Sequence, residues 1–131
     1  MDQKDITVFI VDDDVPVRKA LKRLIKVEGF KAETFGSARE FIDSGHYQSA
    51  GVLVLDVRMP GMNGLELQKH LIDSGSDMRI IFITAHEDIQ ARHKALEAGA
   101  IDFLKKPFED QALLDAIQWA LSSYSSRRNK S

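Results

Sequence analysis

Cysteine is absent from the 131-residue sequence, and no apolar run approaches the ~20 residues that cross a bilayer. The first absence excludes disulfides and thiolate chemistry, and the second excludes a membrane-spanning helix. The acidic N-terminus also lacks the basic and apolar regions of a signal peptide. We therefore expect a cytoplasmic location and no membrane partner.

A large net charge is also absent, since 18 basic and 20 acidic residues leave a formal charge of −2. This balance argues against the phosphate affinity of a free-standing DNA-binding protein. The length allows one domain with a core but not two. Because the end of the chain is rich in serine and arginine, we expect a domain at residues 1–124 and a tail, or the start of an interdomain linker, at residues 125–131.

Continuous apolar runs at residues 6–11, 52–55 and 80–83 predict three strands that are buried on both faces. Such strands are typical of a parallel sheet covered by helices. Weaker strands are predicted at 31–35 and 101–104.

Five helical patterns alternate with these strands. The first helix has one apolar stripe, with a proline near its start and a glycine near its end. The others are predicted to begin near Ser37, to span 65–73 and 87–98, and to lie around 113–121. Strand alternating with helix indicates right-handed βαβ units, and therefore a doubly wound α/β domain with a five-stranded parallel sheet.

Polar side chains follow four of the predicted strands. Asp12 and Asp13 follow the first strand, Asp56 the third, Thr84 the fourth and Lys106 the fifth. Because functional groups in doubly wound sheets gather beyond the carboxyl ends of the strands, we expect these side chains to meet at one edge.

Clustered carboxylates repel one another, and a hard divalent cation removes that repulsion. Oxygen ligands without cysteine or histidine favour Mg²⁺, with Mn²⁺ as the alternative. The ion and Lys106 would balance the charges of Asp12, Asp13 and Asp56, so the site could accept a phosphoryl group. An aspartate beside Mg²⁺ can attack phosphorus and form an acyl phosphate, with Lys106 and Thr84 contacting the phosphoryl oxygens.

Four segments carry a resemblance to a known family: VFIVDDD, LVLDVRMPGMNG, IFITAH and DFLKKPF, in this order. They resemble the receiver domain of two-component response regulators, most closely the FixJ/NarL type, over about residues 5 to 122. The resemblance implies a flavodoxin-like fold with strand order 2-1-3-4-5 and five helices.

The resemblance also implies a role for each polar residue. Asp56 matches the phosphoacceptor, and Asp12 and Asp13 match the acidic pair that organises Mg²⁺, with Asp13 as a direct ligand. The backbone carbonyl of Arg58 matches a further metal ligand. Thr84 matches the switch hydroxyl.

Three more positions follow from the same resemblance. Lys106 matches the family's lysine, and Phe103 takes the place of a rotameric aromatic residue that is often tyrosine. The side chains of Arg58 and His86 match variable positions that tune the lifetime of the acyl phosphate.

By this resemblance the chain is a phosphorylation-dependent switch with weak self-phosphorylation and self-dephosphorylation, and not an enzyme acting on a separate metabolite. A sensor histidine kinase would phosphorylate Asp56, and the surface of helix 4, strand 5 and helix 5 would change and control homodimerisation. DNA would be bound only through an output domain absent from this chain, with transcription as the expected output. We expect the chain to be part of a longer regulator, and a stand-alone receiver is the alternative.

Simpler interpretations stay open for single residues. Asp14 is expected only to cap the first helix, Thr84 could bond its own backbone, and Lys106 could be a surface residue. Phe103 could serve packing alone. Trp119 could lie in the core or at a partner interface.

Two other functions compete with the switch. A Mg²⁺-dependent phosphatase with an aspartyl nucleophile would need an acid/base aspartate where Arg58 stands, and a cap domain that the length does not allow. A degenerate receiver acting only as a binding module is disfavoured by the intact Asp13, Asp56, Thr84 and Lys106.

Overall fold

The computed structural model describes the backbone of residues 5–129 and the side chains up to Tyr124. Within this range the chain forms one parallel sheet in the order β2-β1-β3-β4-β5, which confirms the predicted order. The strands are β1 (Thr7–Val11), β2 (Lys31–Phe35), β3 (Val52–Asp56), β4 (Arg79–Thr84) and β5 (Asp102–Lys105).

The helices also follow the predicted alternation. They are α1 (Val15–Val27), α2 (Ala38–Ser44), α3 (Gly64–Asp73), α4 (Ile89–Glu97) and α5 (Asp110–Asn129). A short 3-10 helix at His46–Gln48 was not predicted. The backbone of α5 continues through Asn129, and the division of the chain at residue 124 stays a prediction.

The continuous apolar strands are buried on both faces because a layer of helices covers each face of the sheet. The layer under α1 and α5 contains Ile10, Val54 and Ile117, and the layer under α2, α3 and α4 contains Phe9 and Phe82. Each fully buried side chain of this size contributes about 1.5–3 kcal/mol through the hydrophobic effect. The two layers therefore hold the central strands rigidly, and the strand ends are fixed with them.

Local signals set where two helices begin. Asp14 caps α1 by accepting a hydrogen bond from the N–H of Val17 at 3.4 Å, as predicted. Asn63 and Glu66 form a reciprocal capping box at the start of α3, which the sequence analysis did not identify. A Cβ atom on Gly64 would lie 2.4 Å from the carbonyl oxygen of Asp56, so only glycine lets α3 begin this close to β3.

The topology brings the predicted strand-end residues to one edge of the sheet. Asp56 and Thr84 are the last residues of the neighbouring strands β3 and β4. Asp12 directly follows β1 on the other side of β3, and Lys106 directly follows β5. Across the described residues, the structure contains no helix with the length and apolar character needed to cross a membrane.

Candidate functional site

Three carboxylates form the centre of the site. Asp12, Asp13 and Asp56 each direct one oxygen into a cluster whose atoms lie within 4.8 Å of one another. Asp12 and Asp56 are buried, whereas Asp13 is exposed to solvent. The cluster can hold a metal ion, because carboxylate oxygens this close together repel one another unless a cation joins them.

Asp12 is held in place by partners from three segments. The Nζ of Lys106 donates to its Oδ2 at 2.8 Å, and the backbone N–H of Asp14 donates to its Oδ1 at 2.9 Å. Arg18 donates to the Asp12 carbonyl oxygen at 2.6 Å. The side chain of Asp12 is fully buried, so the ammonium of Lys106 supplies the compensating charge that a buried carboxylate needs. Lys106 is therefore not a free surface residue.

Asp56 has an environment that favours its protonated form. Its pKa is raised from 3.8 to about 6, mainly by burial and secondly by repulsion from Asp12. Lys106 and the backbone N–H of Arg58 act in the opposite direction, with the N–H donating to Oδ1 at 3.3 Å. The three carboxylates outnumber the one ammonium of Lys106, so the site carries excess negative charge. A bound cation would neutralise this excess.

The side chain of Arg58 contacts a carboxylate that lies outside the cluster of Asp12, Asp13 and Asp56. Its Nη2 atom lies 3.5 Å from Oδ2 of Asp88, the residue that precedes α4. Only its backbone contacts Asp56 in this structure, and the metal-ligating role of its carbonyl stays a prediction.

Thr84 is buried at the end of β4, and its hydroxyl is engaged with its own loop. The Oγ1 donates to the carbonyl oxygen of His86 at 3.0 Å and accepts from the N–H of His86 at 3.2 Å. Because a hydroxyl has one hydrogen, donation to a phosphoryl oxygen would require Thr84 to give up the His86 carbonyl. The His86 side chain is exposed beside this turn.

Phe103 lies inward on the edge strand β5. Its ring is buried and packs against Phe82 with 5.9 Å between the ring centroids. Arg92 of α4 donates to the Phe103 carbonyl oxygen at 3.1 Å and so joins the helix to the strand. A cavity of about 70 Å³, lined in part by Thr84, Arg92 and Phe103, lies between α4 and β5.

Comparison with known proteins decides the family. The family model described as "Response regulator receiver domain" matches residues 8–118. The chain belongs to this family. Membership favours a signalling switch over the phosphatase alternative, and the receiver domain has the doubly wound fold that the sequence predicts.

Individual relatives support the same assignment. The receiver is 44% identical to the response regulator protein TmoT of Ectopseudomonas mendocina over 121 residues, which is 92% of this chain and 55% of TmoT. Its fold is similar to the response regulator StyR, with TM-score 0.87, 50% identity and coverage of 95% of this chain and 63% of that one. It is also similar to FixJ-N, with TM-score 0.83, 42% identity and coverage of 90% and 94%.

The receiver spans about half the length of the curated relatives that it matches, such as TmoT at 55%. Their names describe response regulators and transcriptional regulatory proteins, among them FixJ of Rhizobium meliloti.

Sequence reasoning missed several residues that support the site. Arg18 and Arg92 gave no signal, because each acts through a backbone carbonyl outside its own helix, and a sequence pattern does not show such a contact. Asp88 had a recognisable signal, since an aspartate directly before a helical pattern is a common N-cap.

Trp119 is 61% exposed, which excludes the core alternative and leaves the partner interface as a prediction.

Proposed function

We propose that this receiver accepts a phosphoryl group on Asp56 from the phosphohistidine of a sensor histidine kinase, with Mg²⁺ as its cofactor. The observation that supports this most directly is the buried Asp56 carboxylate beside Asp12, Asp13 and Lys106. Three separate strand ends contribute these groups, and no packing role requires so much charge at one point.

The chemistry needs few groups from the protein. A carboxylate oxygen of Asp56 attacks phosphorus, an O–P bond forms, and the P–N bond to the donor histidine breaks; the other ring nitrogen of that histidine carries a proton, so a neutral imidazole leaves. Asp12 and Asp13 would hold Mg²⁺ together with Asp56 and the carbonyl of Arg58; when bound, the ion neutralises charge on the transferred phosphoryl group. The Nζ of Lys106 donates to Asp12 in this structure. In the phosphorylated receiver the same ammonium would also contact a phosphoryl oxygen.

Phosphorylation then shifts the receiver between two states. The hydroxyl of Thr84 leaves the His86 carbonyl for a phosphoryl oxygen, and the turn between β4 and α4 rearranges. Phe103 is already inward in this structure, so phosphorylation would hold it in that position rather than move it there. The phosphoryl contacts bias this equilibrium because they exist in only one of the two states.

The surface of α4, β5 and α5 carries the signal to the output. Ile89 is 77% exposed on α4, and Leu96 is also exposed on that helix, which gives this surface apolar side chains for a second copy of the receiver. Phosphorylation would promote homodimerisation through this surface. A DNA-binding output domain outside this chain would then control transcription, a proposal that is supported by relatives named transcriptional regulatory proteins.

Beryllofluoride tests the proposal because it mimics a phosphoryl group on an aspartate without a slow chemical step. With Mg²⁺ present, we expect it to bind the wild-type receiver, to shift the amide resonances of Thr84 and Phe103 and to increase dimer formation. Asp56→Asn should abolish all three effects. Equal binding to the Asp56→Asn variant would contradict Asp56 as the acceptor, and no binding to the wild type would favour a receiver that serves only as a binding module.

A further inference from the structure

The ion pair between Arg58 and Asp88 joins the acceptor loop to α4. Arg58 lies two residues after Asp56, and its N–H contacts the acceptor carboxylate directly. Its guanidinium instead reaches Asp88, with Nη2 3.5 Å from Oδ2. The one residue therefore contacts the acceptor through its backbone and the start of α4 through its side chain.

Asp88 is the fixed member of this pair. Its Oδ1 accepts a hydrogen bond from the N–H of Ala91 at 2.9 Å and caps α4, which leaves Oδ2 to face Arg58. The side chain of Arg58 is 58% exposed and that of Asp88 33%. The carboxylate therefore holds one position while the longer arginine side chain remains free to exchange partners.

The pair spans a groove of about 520 Å³ beside the acceptor strand. Asp88 and Ala91 line the groove on the side of α4, and the segment around Arg58 and Pro60 lines it on the side of β3. The groove is open to solvent and wide enough for water, so a guanidinium can move within it without disturbing the core.

We propose that Asp88 is a positioning residue that holds the Arg58 guanidinium away from the phosphorylated acceptor and thereby sets how fast the acyl phosphate is hydrolysed. In hydrolysis a water oxygen bonds to phosphorus, the bond from phosphorus to Asp56 breaks, and inorganic phosphate leaves. A guanidinium on the phosphoryl oxygens covers the approach of this water. Asp88 competes for the same guanidinium, so it shortens the lifetime of the acyl phosphate.

The competition can be close because the contact between Arg58 and Asp88 is accessible to solvent. An exposed ion pair is weak, whereas a phosphoryl group offers a guanidinium two oxygens and a larger charge. Arg58 therefore divides its time between Asp88 and the phosphoryl group, and the charge on Asp88 sets the ratio. The inference rests on the proposed phosphorylation of Asp56.

The test measures the half-life of the acyl phosphate after the receiver has been loaded with acetyl phosphate and Mg²⁺ and separated from the donor. Asp88→Asn removes the charge and keeps a good helix cap, and we expect a half-life on the order of threefold longer, as the strength of exposed ion pairs implies. In an Arg58→Ala background the same substitution should change nothing. Asp73→Asn, which breaks the exposed Lys69–Asp73 pair on α3, is the matched control and should leave the half-life unchanged.

The outcomes separate this inference from the proposed function. An unchanged or shortened half-life in Asp88→Asn, or a change of equal size without Arg58, would overturn the role of Asp88 while leaving the acceptor intact. If the wild-type receiver formed no adduct at all, the proposed function would fail, and the role of Asp88 would fail with it. A merely structural effect would lower the melting temperature of Asp88→Asn and would persist in the Arg58→Ala background.

Discussion

Asp56 carries a cost to stability that its proposed role as phosphoryl acceptor explains. Burial and the neighbouring Asp12 raise its pKa to about 6, so the folded receiver holds this carboxylate in its charged form only at an energetic cost above that pH. A site selected for stability alone would place an apolar or amide side chain there. The same imbalance prepares the site for a cation.

The pH dependence of stability tests whether the charged form of Asp56 destabilises the folded receiver. Because the folded-state pKa lies above the ordinary value of 3.8, folding binds a proton between these values, and the contribution of Asp56 to stability is lost as the pH rises through about 6. Without metal, Asp56→Asn should raise the free energy of unfolding by about 1–2 kcal/mol at about pH 8, and the gain should disappear towards about pH 4. Urea unfolding at both pH values measures this. The exposed Asp73→Asn serves as the control, and an equal gain at both pH values would contradict the account.

For single residues, the sequence predicted which side chains the fold brings together, but it did not predict the hydrogen-bond and ion-pair partners of those side chains. Asp12, Asp56 and Thr84 were predictable because strand ends in a parallel sheet converge. The Arg58–Asp88 pair was not, because it depends on the path of two loops that no periodic pattern describes.

Among the elements, α5 is attached to the sheet at the edge opposite the carboxylate cluster. The hydroxyl of Tyr124 lies within donating distance of two carbonyl oxygens, that of Gly51 at 2.7 Å and that of Asp77, and its one hydrogen can go to either. It also accepts from the N–H of Gly51 at 3.1 Å. The guanidinium of Arg79 lies over its ring, 4.0 Å from the centroid. This cluster joins the helix to the segments that precede β3 and β4.

Removing the hydroxyl should loosen this attachment. Tyr124→Phe removes the acceptor of the Gly51 N–H, while the Gly51 carbonyl keeps the N–H of Arg79, and the variant should lower the free energy of unfolding by about 1–2 kcal/mol. Thermal and urea unfolding would detect the loss. Tyr47→Phe is the matched control, since the described residues offer the Tyr47 hydroxyl no hydrogen bond, and its change should stay within about 0.5 kcal/mol. Equal stability of the wild type and Tyr124→Phe would contradict an anchoring role.

The elements themselves were largely predictable, with errors where local chemistry competes with periodicity. β2 was predicted with its observed bounds, 31–35. The fourth helix was predicted from residue 87 but begins at Ile89, because Asp88 adopts an extended conformation as its cap. The fifth helix was predicted around 113–121, because the serine-rich sequence that follows is typical of a linker. Its backbone continues to Asn129, and no glycine or proline interrupts the helix before that residue.

In the whole molecule, the alternation of strands and helices was enough to predict a parallel doubly wound sheet, but the strand order came only from the resemblance to receivers. Alternation limits the topology to right-handed crossovers and does not say on which side of β1 each later strand lies. The proposed homodimerisation needs a second copy and the proposed output domain lies outside this chain, so the fold of one receiver determines neither.

The central claim is that Asp56 is the covalent phosphoryl acceptor, and intact mass after incubation with acetyl phosphate and Mg²⁺ tests it most directly. The account predicts one added phosphoryl group on the wild-type receiver, and none on Asp56→Asn or on the wild type in the presence of EDTA. An adduct of the same mass and yield on Asp56→Asn would contradict it, because the phosphoryl group would then reside on another residue.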